Sequence, residues 1–289
     1  MIGLLGGHRP KLGTVATQTV RPRLLVLDVD GTLLTSDGTL TMRTRQALRA
    51  ADGAGWHVAL VTGRPLPYVL PLVRELAVGE FVVAANGATV AEVDTGAVLY
   101  QASLPGRLVR LVLTEARQAI PDLRLAITTA DRFHVEPGFD LLAPLTKVDA
   151  VVVPDARPGP GDTVHSTVLF VLGADAIGLL QLLAPVVPQE IHISPSGLPG
   201  SVELTPPGVH KGSGVAHLCE RVGVERDDVV AFGDGLNDHE MLTWAGHGVA
   251  MGNADAETKV IADEVTASND DDGVAVVVER LLAESPNCP

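Results

Sequence analysis

The chain has 289 residues, 46% hydrophobic and 19% charged, enough apolar material for one large or two modest buried cores, which excludes wholesale disorder. Aromatic residues make up only 3%, so the core has to be built from Val, Leu and Ala. With 21 basic and 35 acidic residues the formal charge is −14, which argues against nucleic acid, whose binding depends on counterion release by basic side chains, and against an anionic membrane surface.

The stretch from Met1 to Val20 has a short apolar run and no basic region before it, so it reads as a flexible leader and not a signal peptide. Leu24-Leu25-Val26-Leu27 is an apolar run expected to form a strand buried on both faces. It leads directly into Asp28-Val29-Asp30-Gly31-Thr32. A helix is predicted from Thr41, its cap, to about Ala54, where Gly53 and Gly55 stop it. His57–Val61 is a second strand, ending in Thr62-Gly63-Arg64; Pro65 opens a helix towards Ala77, and Phe81–Ala84 is a third strand. Alternation at this spacing predicts a doubly wound parallel sheet, a Rossmann-like α/β fold.

From Ala88 the pattern changes. Ala88–Val93 and Ala97–Ala102 flank Asp94-Thr95-Gly96 as a hairpin. Then come a helix over Pro105–Ala119, a strand at Leu123–Thr129, and a proline-spotted stretch from Pro137 to Asp162. A strand (Ser166–Leu172), a helix (Ala174–Leu183) and short strands near Ile191 and Val202 complete an α+β segment. The run Val168–Val187 is apolar, but Gly173, Asp175, Gln181 and Pro185 break it, so it is not read as a membrane span. From Pro206 the parallel pattern returns: a helix at Lys211–Val222, a strand at Val229–Phe232 ending in Gly233-Asp234-Gly235, a helix from Asn237, and short strands at Gly248–Ala250 and Glu264–Thr266 between helices. The expected organisation is a leader (1–20), a core in two pieces (21–87 and 206–289), and an inserted α+β domain (88–205). Cys219 and Cys288 have neither metal-ligand nor disulfide-framework spacing, and a reducing, cytoplasmic setting is expected.

Chemistry gathers where the strands end. Side chains two apart on a strand share a face, so Asp28 and Asp30 converge above the sheet edge, where open α/β sheets bind ligands. Carboxylates that close repel unless a cation lies between them or one keeps its proton, which points to a divalent metal or to a nucleophile paired with an acid. Thr62 and the backbone N–H groups around Gly63 suit a phosphate oxygen. Lys211 opens a helix against the macrodipole, and together they would draw an anion. Asp234, at the tip of its own strand, adds oxygen ligands, while Asn237 or Asp238 also reads as a cap for the next helix. No His-Glu-x-x-His or other histidine ligand spacing occurs.

In order and spacing these motifs resemble those of the haloacid dehalogenase superfamily: Asp28-Val29-Asp30-Gly31-Thr32-Leu33-Leu34 the first, Thr62 the second, Lys211 the third, and Gly233-Asp234 with Asn237-Asp238 the fourth. Thr205-Pro206-Pro207-Gly208-Val209-His210-Lys211-Gly212 and Asn86-Gly87-Ala88 resemble the Cof-like branch, which carries a large α/β cap. The resemblance spans about residues 22–285. It implies a phosphomonoesterase acting on small phosphorylated metabolites, sugar phosphates foremost, with Asp28 as nucleophile and Asp30 as general acid and base. It also implies Mg²⁺ held by the Asp28 and Asp234 carboxylates and the Asp30 carbonyl. Thr62, Gly63, Lys211 and Asn237 would contact phosphate, and Asp238 would position Lys211 or hold metal-bound water. The cap would be a lid, with Arg132, His134, Lys147 and His165 as polar candidates on it. A phosphomutase shares the motifs, and a non-catalytic phosphate-ligand-binding module is a third reading, opposed by the intact Asp28 and Asp30. A dinucleotide dehydrogenase fits poorly, since no Gly-x-Gly-x-x-Gly follows the first strand and aspartates stand where a dinucleotide phosphate would need glycine. Protein partners cannot be read from the chain.

Overall fold

The computed structural model describes residues 23–129, 132–142 and 150–284; the readings made for the leader, Lys147 and Cys288 fall outside them. From the amino end, β1 (Leu24–Asp28), α1 (Met42–Gly53), β2 (His57–Val61), α2 (Leu66–Leu76) and β3 (Phe81–Ala84) alternate as the apolar runs predict. A hairpin of β4 (Thr89–Glu92) and β5 (Val98–Gln101) follows. Next come β6 (Leu104–Pro105), α3 (Gly106–Ala119), β7 (Arg124–Thr129), β8 (Phe133–Val135), β9 (Val151–Val152), β10 (Thr163–Phe170), α4 (Ala176–Leu183), β11 (His192–Pro195) and β12 (Ser201–Thr205). The chain closes with α5 (Lys211–Val222), β13 (Val229–Gly233), α6 (His239–Trp244), β14 (His247–Ala250), α7 (Ala256–Ile261), β15 (Glu264–Val265) and α8 (Gly273–Ala283).

Among the described residues, one sheet has the order β15-β14-β13-β1-β2-β3-β4-β5, parallel from β15 to β3. β1 lies at its centre, and the chain builds outward from it first on the β2 side and, after the insertion, on the β13 side. Strand residues alternate between two cores. Leu25 and Leu27 pack with Leu48 of α1 and Val277 of α8, whereas Leu24 and Val26 pack with Val215 and Leu218 of α5. This is the doubly wound α/β core expected.

The β4–β5 hairpin, expected to open the insertion, instead pairs antiparallel with β3 and extends the core sheet at its edge. The turn at Asp94-Thr95-Gly96 was legible, but which sheet the hairpin joins is decided by its pairing with Phe81–Ala84, which local sequence does not specify. β8 and β9 were not foreseen, because strands of three and two residues carry too little alternation to read.

The second sheet has the order β11-β12-β10-β7-β8-β9, with β6 on β10, and is antiparallel except between β8 and β9. One face packs against α3 and α4 through Val109, Leu113, Leu179 and Leu183. The other carries Phe133, Phe139, Val168 and Phe170, which pack with Tyr68 of α2. No helix among the described residues is long and apolar enough to cross a membrane.

Candidate active site

Register places the sequence motifs at one edge. Asp28 is paired with Val61, so Thr62 lies one step beyond. Leu27 is paired with Phe232, so Gly233 ends level with Asp28 and Asp234 follows. Asp28 continues the alternation of Leu24 and Val26 and therefore points to the α5 side of the sheet. There Lys211, the first residue of α5, reaches it: the Lys211 Nζ lies 2.6 Å from Asp28 Oδ1 and 2.6 Å from Asp238 Oδ1. The lysine is only 1% exposed. The helix that delivers it is fixed by a reciprocal cap between His210 and Ser213.

Asp238 is held on its other side, where Oδ2 accepts the backbone N–H groups of Asp234 and Gly235, each at 3.0 Å. Asp234 accepts the Thr32 hydroxyl at 3.0 Å and lies directly over Gly31. At Gly31 φ is +82°, and a Cβ there would collide with the Asp234 carboxylate, so the position needs glycine twice over. One carboxylate oxygen each of Asp28, Asp234 and Asp238 lies within 4.8 Å of the others.

The electrostatics follow from crowding and burial. Burial raises Asp28 well above the usual carboxylate range despite the Lys211 ammonium, and Asp238, Asp234 and Asp30 add repulsion. Asp234 is pushed up to about 6, first by burial and then by Asp238. Burial alone would lower Lys211, but Asp238 and Asp28 outweigh it and its pKa is raised, so the lysine carries its charge throughout the physiological range.

Asp30 stands apart from this buried cluster. Both its oxygens are held by Arg64, at 2.9 Å from Nε and 2.5 Å from Nη2, and its side chain is 54% exposed. The Arg64 guanidinium in turn lies 5.1 Å from the centre of the Tyr68 ring. The Thr62 hydroxyl accepts the Arg64 backbone N–H at 3.1 Å. Asp28, Asp30, Thr62, Gly63, Asp234 and Asn237 all line one cavity of about 570 Å³. Lys211 and Asp238 are the buried pair behind Asp28.

A second network ties the two sheets together. The Asn237 amide donates to Asn86 Oδ1 at 3.0 Å, and the Asn86 amide donates to Glu203 at 2.5 Å and to the Ser196 carbonyl at 3.3 Å. Ser166 donates to the other Glu203 oxygen at 3.2 Å. Glu203 is fully buried, and burial lifts its pKa to about 7 against the pull of Asn86, Ser166 and Lys211. Sequence reasoning noted Asn86 only within the Asn86-Gly87-Ala88 motif and missed Glu203. A signal was present: in β12 the polar Ser201, Glu203 and Thr205 alternate with Val202 and Leu204, which gives one face of that strand a polar task. Arg64 and Tyr68 were missed as cavity walls because their partners lie far off in sequence.

Of the polar candidates on the second sheet, Arg132 pairs with Asp162 at 2.7 Å. His134 lies in β8, and burial lowers the pKa of His165. None of the three lines the cavity.

With this geometry in hand, comparison with known proteins gives a consistent result. The model of the haloacid dehalogenase-like hydrolases matches residues 25–278. The 5-amino-6-(5-phospho-D-ribitylamino)uracil phosphatase YitU of Bacillus subtilis is 32% identical over 91% of this chain and 97% of its own. The HMP-PP phosphatase of Cronobacter sakazakii is 30% identical over 80% of this chain and 85% of its own. Among solved structures, a haloacid dehalogenase-like hydrolase from Bacteroides thetaiotaomicron is 31% identical and superposes with a TM-score of 0.75, covering 90% of this chain and 100% of its own.

Proposed function

The chain belongs to the haloacid dehalogenase-like hydrolases, and from that premise we propose that it is a Mg²⁺-dependent phosphomonoesterase of small metabolites working through an aspartyl-phosphate on Asp28. The observation that carries the reading is the buried Lys211, bound at once to Asp28 and Asp238 beside a cavity that Asp28 lines. A fixed ammonium there opposes the burial that would otherwise hold Asp28 protonated, and draws the phosphoryl group towards it.

The remaining roles follow from position. Asp28 attacks phosphorus, the ester oxygen leaves, and the phosphoryl group stays on the Asp28 carboxylate until water removes it. Asp30 gives a proton to the leaving oxygen and then takes one from that water. It first has to part from Arg64, which holds both its oxygens. The Thr62 hydroxyl, the N–H groups around Gly63, and the Asn237 amide receive the non-bridging oxygens. Asp238 fixes Lys211.

The donor set fits a hard dication. Oxygens of three carboxylates lie within 4.8 Å of one another while Lys211 pairs with only two of them, so the buried cluster is short of positive charge, and every donor is an oxygen. Asp28, Asp234 and the Asp30 carbonyl are the residues to hold Mg²⁺. When bound it supplies charge neutralisation between nucleophile and phosphate. The segment after β5, up to β12, serves as a lid over the leaving group.

The test is phosphate release from p-nitrophenyl phosphate and a panel of metabolite phosphates, with Mg²⁺ or with EDTA. Release that needs Mg²⁺ and disappears in Asp28→Asn is expected. Isomerised ester without free phosphate would indicate a mutase, and no turnover of any ester would sink the reading.

A further inference from the structure

The cavity divides sharply by chemistry. Charged groups gather at the phosphate end: Asp28, Asp30 and Asp234, with Arg64 bound to Asp30. Away from that end the described walls are mostly hydrocarbon, with Ser196 the polar side chain among them. Tyr68 projects from α2, Phe139 and Val168 from the second sheet's side, and Leu198 and Pro199 from the loop between β11 and β12. The chain has only five Phe, two Tyr and two Trp, yet Tyr68, Phe133, Phe139 and Phe170 form a continuous run of edge-to-face contacts, of which Tyr68 and Phe139 line the cavity and the other two lie behind.

Polar groups near these walls are already engaged. Glu203 takes Asn86 and Ser166, and the Ser196 hydroxyl pairs with that of Ser201, while Arg64, which releases Asp30 for catalysis, belongs to the phosphate end. A leaving group with a hydroxyl on every carbon would lose water against such walls without gaining hydrogen bonds, whereas a flat apolar body gains contact with Tyr68 and Phe139. The loop bearing Leu198 also sits close to the core: a Cβ on Gly63 would lie 2.5 Å from the Ser196 carbonyl. That closeness sets the walls against the leaving group near its point of attachment.

The geometry points to phosphate monoesters whose leaving alcohol carries a flat, largely apolar ring two or three bonds from the ester oxygen, in preference to the polyhydroxylated sugar phosphates expected from the resemblance. This rests on the phosphomonoesterase reading above and narrows it. At about 570 Å³ the cavity has room for a ring and its linker beside the phosphate.

Benzyl phosphate and 2-phenylethyl phosphate, compared with glucose 6-phosphate and ribose 5-phosphate, give the test. All four are esters of primary alcohols, so the leaving oxygen is matched and the ratio of kcat/KM values reads the walls alone. Ring esters should exceed sugar esters by tenfold or more. Leu198→Asn, at a residue outside the phosphate machinery, should shrink that ratio at least threefold, through a loss on the ring esters with turnover of the sugar esters retained. A wild-type ratio near one or in favour of sugars overturns the inference while leaving the phosphatase intact. A wild-type preference that Leu198→Asn leaves unchanged overturns the assignment of the wall. No turnover of any ester overturns both readings.

Discussion

Glu203 gives the sharpest quantitative test of the network behind the cavity. Its carboxyl is raised from an ordinary 4.5 to about 7 in the folded protein because it is buried, in spite of the Asn86 and Ser166 hydrogen bonds and the Lys211 charge. Between those two pH values the folded state keeps a proton that the unfolded state has released. Stability therefore falls as pH rises through the window from 4.5 to about 7 and levels off above it. At ~1.4 kcal/mol per pH unit, the full penalty is about 3 kcal/mol. Glu203→Gln removes the titration but keeps the shape, with a carbonyl to accept from Asn86 and an amide to donate to Ser166. Urea unfolding of both proteins in EDTA, at pH 5 and pH 8, isolates the effect, since every other titrating group is common to the pair. The difference should move in favour of Glu203→Gln by about 2.5 kcal/mol between the two pH values. A difference that stays constant with pH would show that Glu203 is already ionised in the fold, and the argument from burial would be wrong.

Lys211→Met leaves Asp28 and Asp238 buried without their cation, and should destabilise the metal-free protein by about 3–5 kcal/mol at pH 7 in urea unfolding. A loss below about 1 kcal/mol would mean the pair is not buried as described. Gly31→Ala meets both a φ of +82° and the Asp234 carboxylate. It should weaken Mg²⁺ binding, read by calorimetry, by tenfold or more. Gly63→Ala pushes on the Ser196 carbonyl and displaces the loop over the cavity, so kcat/KM should fall about tenfold or more, with unfolding changed little. Unaltered kinetics would place that loop away from the working site.

How much of this was legible in the sequence depended on distance along the chain. Leu24–Leu27 running into Asp28, and Val229–Phe232 running into Asp234, are contiguous signals: an apolar run names a buried strand, and a charge at its end names the edge where it emerges. Lys211 could be placed because it opens a helix just after a proline-glycine turn. What could not be read were partnerships set by tertiary register. Arg64 clasps Asp30, which lies 34 residues earlier. Asn86 joins Glu203 to Asn237 across the two sheets. The β4–β5 hairpin was recognised as a hairpin and assigned to the wrong sheet, because its pairing with β3 depends on which strand edge is free once the sheet has formed. Tyr68 illustrates the same limit, since nothing in α2 alone distinguishes an aromatic that packs inward from one that walls a cavity.

The central position of β1 has a consequence for how the molecule is made. Leu24 pairs with Val229, so one side of the first described strand to leave the ribosome stays open until about seven-tenths of the chain has followed. Over that interval β1 presents an unpaired edge of apolar residues, the kind of surface on which chains stick to one another. The second sheet has no such wait, because its strands all lie between Leu104 and Thr205 and close among themselves. The half of the candidate site that carries Asp28 is thus synthesised first and completed last, and a chain cut before β13 would keep Asp28 but lack the strand that delivers Asp234.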